Sequence, residues 1–256
     1  MTCLLGGTSQ GDEAAKRHVV VIAHRGEHRA HPENSLPAIA AAVELGCDYV
    51  ELDVRQTRDG ALVLMHDGAV GRTTNGRGNV ADLSFAEIKA LEVNAPRDRF
   101  PEPVRVPTLT EALDAYGDKI QLYLDHKQAP EGVVVDVLRQ HDMIARTAVY
   151  GSPDDLVRYR QHDANIRLMP SHPDNEADMR RLHQRVGVGV FDGGIEDWTA
   201  EQVELSHNLG AEVWVDCLGD TDNPRGWRRA VAIGVDGIQS DRPAELIELL
   251  EEMRLR

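Results

Sequence analysis

The sequence predicts an α/β fold, a (β/α)8 barrel of the TIM type with a small insertion after the early strands, and three observations carry that expectation. Short β-branched apolar runs alternate with longer helical patterns from Val19 onward, and about eight such β/α units follow one another. The 256 residues also suit a fold that typically needs about 250. An open doubly wound sheet is the alternative, but it usually has fewer strands and two edges to protect.

Taken in order, the candidate strands are Val19–Ala23, Tyr49–Val54, Leu62–Met65, Ile120–Leu124, Thr147–Tyr150, Ile166–Met169, Val188–Phe191, Glu212–Val215 and Gly237–Gln239. Helical patterns fall between most of them, at Leu36–Leu45, Leu109–Tyr116, Val133–Gln140, Asp154–Gln161, Glu176–Arg185, Ala200–Leu209, Arg225–Ala232 and Ala244–Met253. Side-chain oxygens mark helix starts at Ser152-Pro153-Asp154-Asp155 and at Thr199 followed by Gln202. Gly46, Gly210 and Gly234 stand where helices must stop, as residues able to take a left-handed cap. The stretch from Asp67 to Val106 breaks the rhythm. It is rich in Gly, Pro, Arg and Asn and reads as an insertion with one short helix around Phe85–Leu91.

Residues 1–17 read as a flexible leader and 18–256 as one barrel domain. The opening residues have neither a basic start nor an apolar run long enough for a signal peptide or a membrane span. The expectation is a cytoplasmic protein without stable membrane insertion, or a periplasmic or secreted one if an export signal has been trimmed. Three cysteines without paired spacing fit neither a disulfide framework nor a thiolate zinc site.

With 41% hydrophobic and 28% charged residues the chain is globular, not disordered or fibrous. Lys and Arg number 28 against 43 Asp and Glu, a formal charge of −15 that repels a nucleic-acid backbone. The same field opposes a small anionic substrate, so a phosphate site here needs local cations or a bound metal.

Ionisable residues gather at strand ends. His24-Arg25-Gly26 leaves the first strand at its C-terminal end, the catalytic face of a parallel barrel, although a histidine there can also serve only to cap backbone groups. In YVELDV, Glu51 and Asp53 lie two apart and share a face. Two carboxylates aimed into a barrel cannot both stay ionised without a cation, and a hard divalent ion, Mg²⁺ or Ca²⁺, is the cheapest resolution. Salt bridges to Arg55 or Arg58 are the alternative, weakened because those residues lie beyond the predicted strand end. ALVLMHD ends at His66-Asp67, a second histidine suited to moving protons. QLYLDHK places Asp125 and Lys127 on one face with His126 turned away; Asp125 completes a three-carboxylate shell and Lys127 adds positive charge. Together these residues match metal-assisted phosphoryl chemistry.

The stretch AHRGEHRAHPENSLPAIAAAVELGCDYVELDVRQTRDGALVLMHDGAVGRTTNGRG, then PTLTEAL, LYLDHK, EVWVD and GVDGIQSDRP, resembles the glycerophosphodiester phosphodiesterase family from Ala23 to Pro243. The resemblance implies a TIM-type barrel hydrolysing glycerophosphodiesters to sn-glycerol 3-phosphate and an alcohol. It implies that Glu51 and Asp53 bind the metal, that His24 and His66 act as general acid and base, and that Arg25 helps hold phosphate. The family's third carboxylate is usually Glu in an E-x-K arrangement, so Asp125 with Lys127 is a departure. The shorter residue also resembles related phospholipase D and sphingomyelinase D type barrels, which makes a lyase forming a cyclic phosphate the first rival. A non-catalytic phosphodiester-binding barrel is the second.

By the same resemblance, Glu33 lies near the site, and Trp214 on EVWVD falls where the family lines its pocket with Trp. The competing readings are N-capping and loop bracing for Glu33 and Asn34, and barrel core for Trp214. Arg72 and Thr73 either position the insertion or contact phosphate. Phe191, Met169 and His172 are expected to shape the alcohol pocket, Gln239 to close the last strand, and Asp241 to cap a helix or pair with a cation. With aromatic residues at 4%, a choline cage of several rings has little support. His18, His28, His31, His141, His162 and His183 read as surface residues.

Overall fold

The computed structural model describes residues 17–256, so all but the last residue of the expected leader lies outside the described residues. In chain order the strands are β1 (Val20–Ala23), β2 (Tyr49–Gln56), β3 (Leu62–Leu64), β4 (Gln121–Gln128), β5 (Thr147–Tyr150), β6 (Arg167–Met169), β7 (Val190–Gly194), β8 (Glu212–Cys217) and β9 (Gly237–Ser240). The helices are α1 (Leu36–Leu45), α2 (Phe85–Ala90), α3 (Leu109–Tyr116), α4 (Glu131–Gln140), α5 (Pro153–His162), α6 (Glu176–Val186), α7 (Ala200–Asn208), α8 (Pro224–Ile233) and α9 (Pro243–Glu252). Local chemistry sets their ends. Ser152 accepts from the Asp155 amide, Thr199 and Gln202 form a capping box, and Gly46 and Gly234 take left-handed caps.

Eight strands run parallel in the order β6-β5-β4-β2-β1-β9-β8-β7. The two ends of that path meet through the Gly189 amide donating to Leu168 O at 3.0 Å and the Asp192 amide to Pro170 O at 3.1 Å, which brings the sheet round into a TIM-type barrel. The third predicted strand is not one of the staves. β3 pairs antiparallel with β2, Val54 opposite Leu64, as the return arm of a hairpin. Its Val63, with the following Met65, packs on Val70, Val80, Ile88 and Val106 in a small apolar cluster of its own, so β3 packs with the stretch 67–106.

The period-two alternation of each stave separates two apolar regions. Outward residues such as Val50, Leu52, Leu122, Leu124, Phe191 and Val213 pack under the helices. Inward residues Ile22, Tyr49, Tyr123, Ala148, Met169, Val190 and Trp214 fill the barrel. Trp214 is 0% exposed, with its ring centroid 4.6 Å from that of Tyr49. A Cβ on Gly237 would stand 2.7 Å from Trp214 Cδ1, so this glycine makes room for the indole. The result is a sealed floor, above which the C-terminal ends of the strands open into the mouth. No helix among the described residues is long and apolar enough to cross a membrane.

Candidate active site

The chain leaves β1 through a strained reversal. Arg25 sits at φ 53° and Gly26 at φ 80°, and a Cβ on Gly26 would fall 2.7 Å from the Ala38 backbone. The turn aims the Arg25 amide at Glu51 Oε2, 2.8 Å away, and brings Arg25 Nε within 3.5 Å of Asp53 Oδ2. His24 Nδ1 lies 2.7 Å from Asp241 Oδ1, and its Nε2 stands 4.0 Å from Glu51 Oε2. A carboxylate at Nδ1 favours the tautomer with the proton there and leaves Nε2 free to accept one. Asp241 does not cap α9; it is the partner of His24, and its own amide donates to Asp222 Oδ2 at 2.8 Å.

Glu51 and Asp53, 2% and 1% exposed, point into the barrel from β2, and Asp125 joins them from β4, directly opposite Asp53 in the strand register. One carboxylate oxygen from each of the three lies within 4.8 Å of those of the others. Asn34 clamps Asp53 twice, its amide group donating to Oδ2 at 2.6 Å while its carbonyl accepts from the Asp53 amide at 3.0 Å. Lys127 donates to Asp125 Oδ2 at 2.6 Å and forms an ion pair at 3.2 Å with Asp53 Oδ1, a buried oxygen that accepts no regular hydrogen bond among the described residues. Burial, then the charges of Asp53 and Asp125, push the Glu51 carboxyl well above the usual range. Burial raises Asp125 too, in spite of Lys127. Three crowded carboxylates, one with an orphan buried oxygen, suit a hard divalent cation taking oxygen ligands. Arg55 belongs to β2 and donates to His66 O at 3.0 and 2.6 Å, not to these carboxylates.

His66 reaches the same rim by a route the alternation rule does not describe. The β2–β3 hairpin turns the chain back until the Met65 amide donates to Asp53 O at 2.9 Å, and His66 follows immediately. Its Nδ1 lies 2.8 Å from Asp67 Oδ1, matching the arrangement at His24. Arg72 donates to Asp67 Oδ2 at 2.6 Å and to both Glu33 oxygens at 2.7 and 2.8 Å, and Arg25 adds a contact to Glu33 at 3.2 Å. Burial works against the Glu33 charge, but Arg72 and Arg25 outweigh it and hold this carboxyl below its usual range. Glu33 and Arg72 therefore brace the insertion against the first loop, and Ser35 is the N-cap of α1.

The model of the glycerophosphoryl diester phosphodiesterase family matches residues 24–245, a span holding every one of these side chains. The chain belongs to this family. A glycerophosphodiester phosphodiesterase of Caldanaerobacter subterraneus subsp. tengcongensis is 30% identical over 250 residues, 91% of this chain and 98% of the relative. A putative glycerophosphoryl diester phosphodiesterase from Silicibacter pomeroyi has a TM-score of 0.80 at 27% identity, covering 93% of this chain and 95% of that one. An Oleispira antarctica phosphodiesterase, solved in complex with the product sn-glycerol-3-phosphate, shares the fold with a TM-score of 0.81 at 23% identity over 91% of this chain and 96% of that one.

Not every residue singled out in this family member's sequence reaches the mouth. Trp214 has the expected face but the wrong depth. Its indole N–H donates at 2.9 Å to Glu212, the first residue of β8, so the ring points to the opposite end of the barrel. Phe191 faces outward into the helix layer, Met169 is sealed inside the barrel, and His172 packs edge-on against Trp198 at 4.4 Å. His28 is not a surface residue. Its Nδ1 lies 2.6 Å from His24 O and its Nε2 3.5 Å from Asp241 Oδ1. Sequence reasoning missed Asp192 and Asp216, which face the mouth from β7 and β8. Both strands continue past the ends read for them, Phe191 and Val215, and alternation from Trp214 would have turned Asp216 inward.

Proposed function

We propose that this chain hydrolyses glycerophosphodiesters to sn-glycerol 3-phosphate and an alcohol, using one divalent cation, Mg²⁺ or Ca²⁺, held by Glu51, Asp53 and Asp125. The observation that carries this reading is the meeting of those carboxylates with two histidines of like arrangement, His24 on Asp241 and His66 on Asp67. The product named for the Oleispira antarctica structure supports the substrate class. A bound cation supplies Lewis-acid charge that withdraws electron density from the phosphate oxygens. Arg25 and Lys127 are cations beside these carboxylates, and they offset the charge that builds on phosphate in the transition state. Lys127 stays protonated in that role. Burial opposes its charge, but Asp125 and Asp53 outweigh burial and hold its pKa above the ordinary value.

One of His24 and His66 removes the proton from the attacking water oxygen as its bond to phosphorus forms. The other delivers a proton to the alcohol oxygen as its bond to phosphorus breaks. Asp241 and Asp67 keep each ring's Nε2 available for that exchange. The test is turnover of glycerophosphocholine and glycerophosphoethanolamine, followed by phosphorus NMR with and without EDTA. The expected result is glycerol 3-phosphate as the released phosphate, lost on chelation and restored by Mg²⁺ or Ca²⁺. A cyclic phosphate as the end product contradicts hydrolysis, and activity surviving exhaustive chelation contradicts the metal.

A further inference from the structure

Across the mouth from the three carboxylates, Asp192, Asp216 and Gln239 face inward from β7, β8 and β9. Asp216 is in register with Gly194 on one side and with Gln239 on the other. Gln239 Nε2 donates to Asp216 Oδ1 at 2.5 Å, while Gln239 Oε1 has no partner although the residue is only 5% exposed. Asp192 is 3% exposed, and its Oδ1 likewise accepts no hydrogen bond among the described residues. No Lys or Arg pairs with either carboxylate among the described residues; the charged neighbours are Asp125, Asp241 and His24. Burial, then Asp216, pushes Asp192 well above the usual carboxylate range, and burial raises Asp216 as well.

The group is thus rich in acceptor oxygens with no Lys or Arg of the described residues to balance an ionised carboxylate, and its Gln239 amide is already spent on Asp216. A neutral hydroxyl would answer one oxygen and leave the charge. A quaternary ammonium would answer the charge but has no N–H for the orphan oxygens and is held best by several ring faces. A primary ammonium answers both, with three donors and one positive charge. In a glycerophosphodiester only the alcohol half can carry that charge, because the other half is glycerol.

We infer that Asp192, Asp216 and Gln239 form a subsite for a primary ammonium on the alcohol half of the substrate, making amino-alcohol diesters, of which ethanolamine is the simplest, the favoured class. The subsite rests on the hydrolysis proposed above. Its test compares kcat/KM for glycerophosphoethanolamine, glycerophosphocholine and glycerophosphoglycerol under one set of conditions. The expected ranking puts the ethanolamine diester about tenfold or more above both others, because it alone brings N–H donors and a positive charge together to the buried carboxylates. Equal values, or choline or glycerol ranked first, overturn the subsite and leave the hydrolysis standing. No turnover of any of the three overturns both.

Asp216→Asn and Asp192→Asn sharpen the result. Each is expected to cost the ethanolamine diester about tenfold more in kcat/KM than the glycerol diester, chiefly through KM. An equal loss on both substrates contradicts an ammonium contact, and the wild-type ranking stands as the test even where a variant fails to fold.

Discussion

On the β2–β4 side of the mouth, Asp53 is buried with Asn34 clamped to it and Lys127 and Arg25 beside it. On the β7–β8 side, Asp192 is buried to a similar degree with no Lys or Arg paired to it among the described residues. The first half comes with much of its own compensating charge and donors; the second does not. A buried carboxylate braced from several directions has a position to keep, while one left without a counter-ion holds its proton until a cation from outside takes the proton's place. On the function and subsite proposed above, that difference divides the substrate between the two halves, phosphate over the braced side and a cationic alcohol over the other.

The sharpest break of that comparison is in the braced half. Asp53→Asn is expected to lower kcat by about 1000-fold, the scale of several kcal/mol of lost charge stabilisation, measured by steady-state turnover in saturating Mg²⁺. A loss of a few-fold would show that the braced carboxylate is only structural. Next in size, His24→Ala and His66→Ala are each expected to depress kcat by about 100-fold or more with little change in KM.

Beneath both halves lies the floor, where an equally buried residue points away from the mouth. Trp214→Ala is expected to cost about 3–5 kcal/mol of stability by denaturant unfolding, while kcat per folded molecule changes only a few-fold. A collapse of kcat in the folded variant would return Trp214 to the substrate pocket.

The smallest effect separates the halves by stability. A carboxyl whose pKa is raised on folding keeps its proton in the native state above the pH at which the unfolded chain loses it. Its contribution is therefore complete below the ordinary carboxylate range and declines as pH rises toward the raised value. Asp192 is such a group. In metal-free protein at neutral pH, Asp192→Asn is expected to raise Tm by about 2–4 °C, a gain that shrinks on acidification, whereas Asp53→Asn lowers Tm. Scanning calorimetry at neutral and acid pH reads both, and a Tm change of the same sign in the two variants would erase the distinction.

Much of this arrangement was legible in the sequence, because alternation assigns faces. Glu51 with Asp53, and Asp125 with Lys127, fall on shared faces of β2 and β4 by spacing alone, and the β/α rhythm supplies the barrel. Alternation is silent on depth and on direction. It turns Trp214 inward but does not say that Glu212 draws the indole toward the far end of the barrel. It finds an apolar run at Leu62 but not the hairpin that makes this run antiparallel and carries His66 back to the rim. Asp192 and Asp216 escaped notice because strand ends were read from apolar character, and both strands go on pairing after that character stops. The service of Asn34 to Asp53 needs a residue at φ 53°, a local conformation no spacing reveals.

The central claim is that Glu51, Asp53 and Asp125 together hold one divalent ion. Calorimetric titration of chelator-stripped protein with Mg²⁺ and with Ca²⁺ addresses it without any substrate. The account predicts saturable binding of one ion per chain, weakened about tenfold or more in Asp53→Asn. Failure of both ions to bind, or binding that Asp53→Asn leaves unchanged, would contradict it.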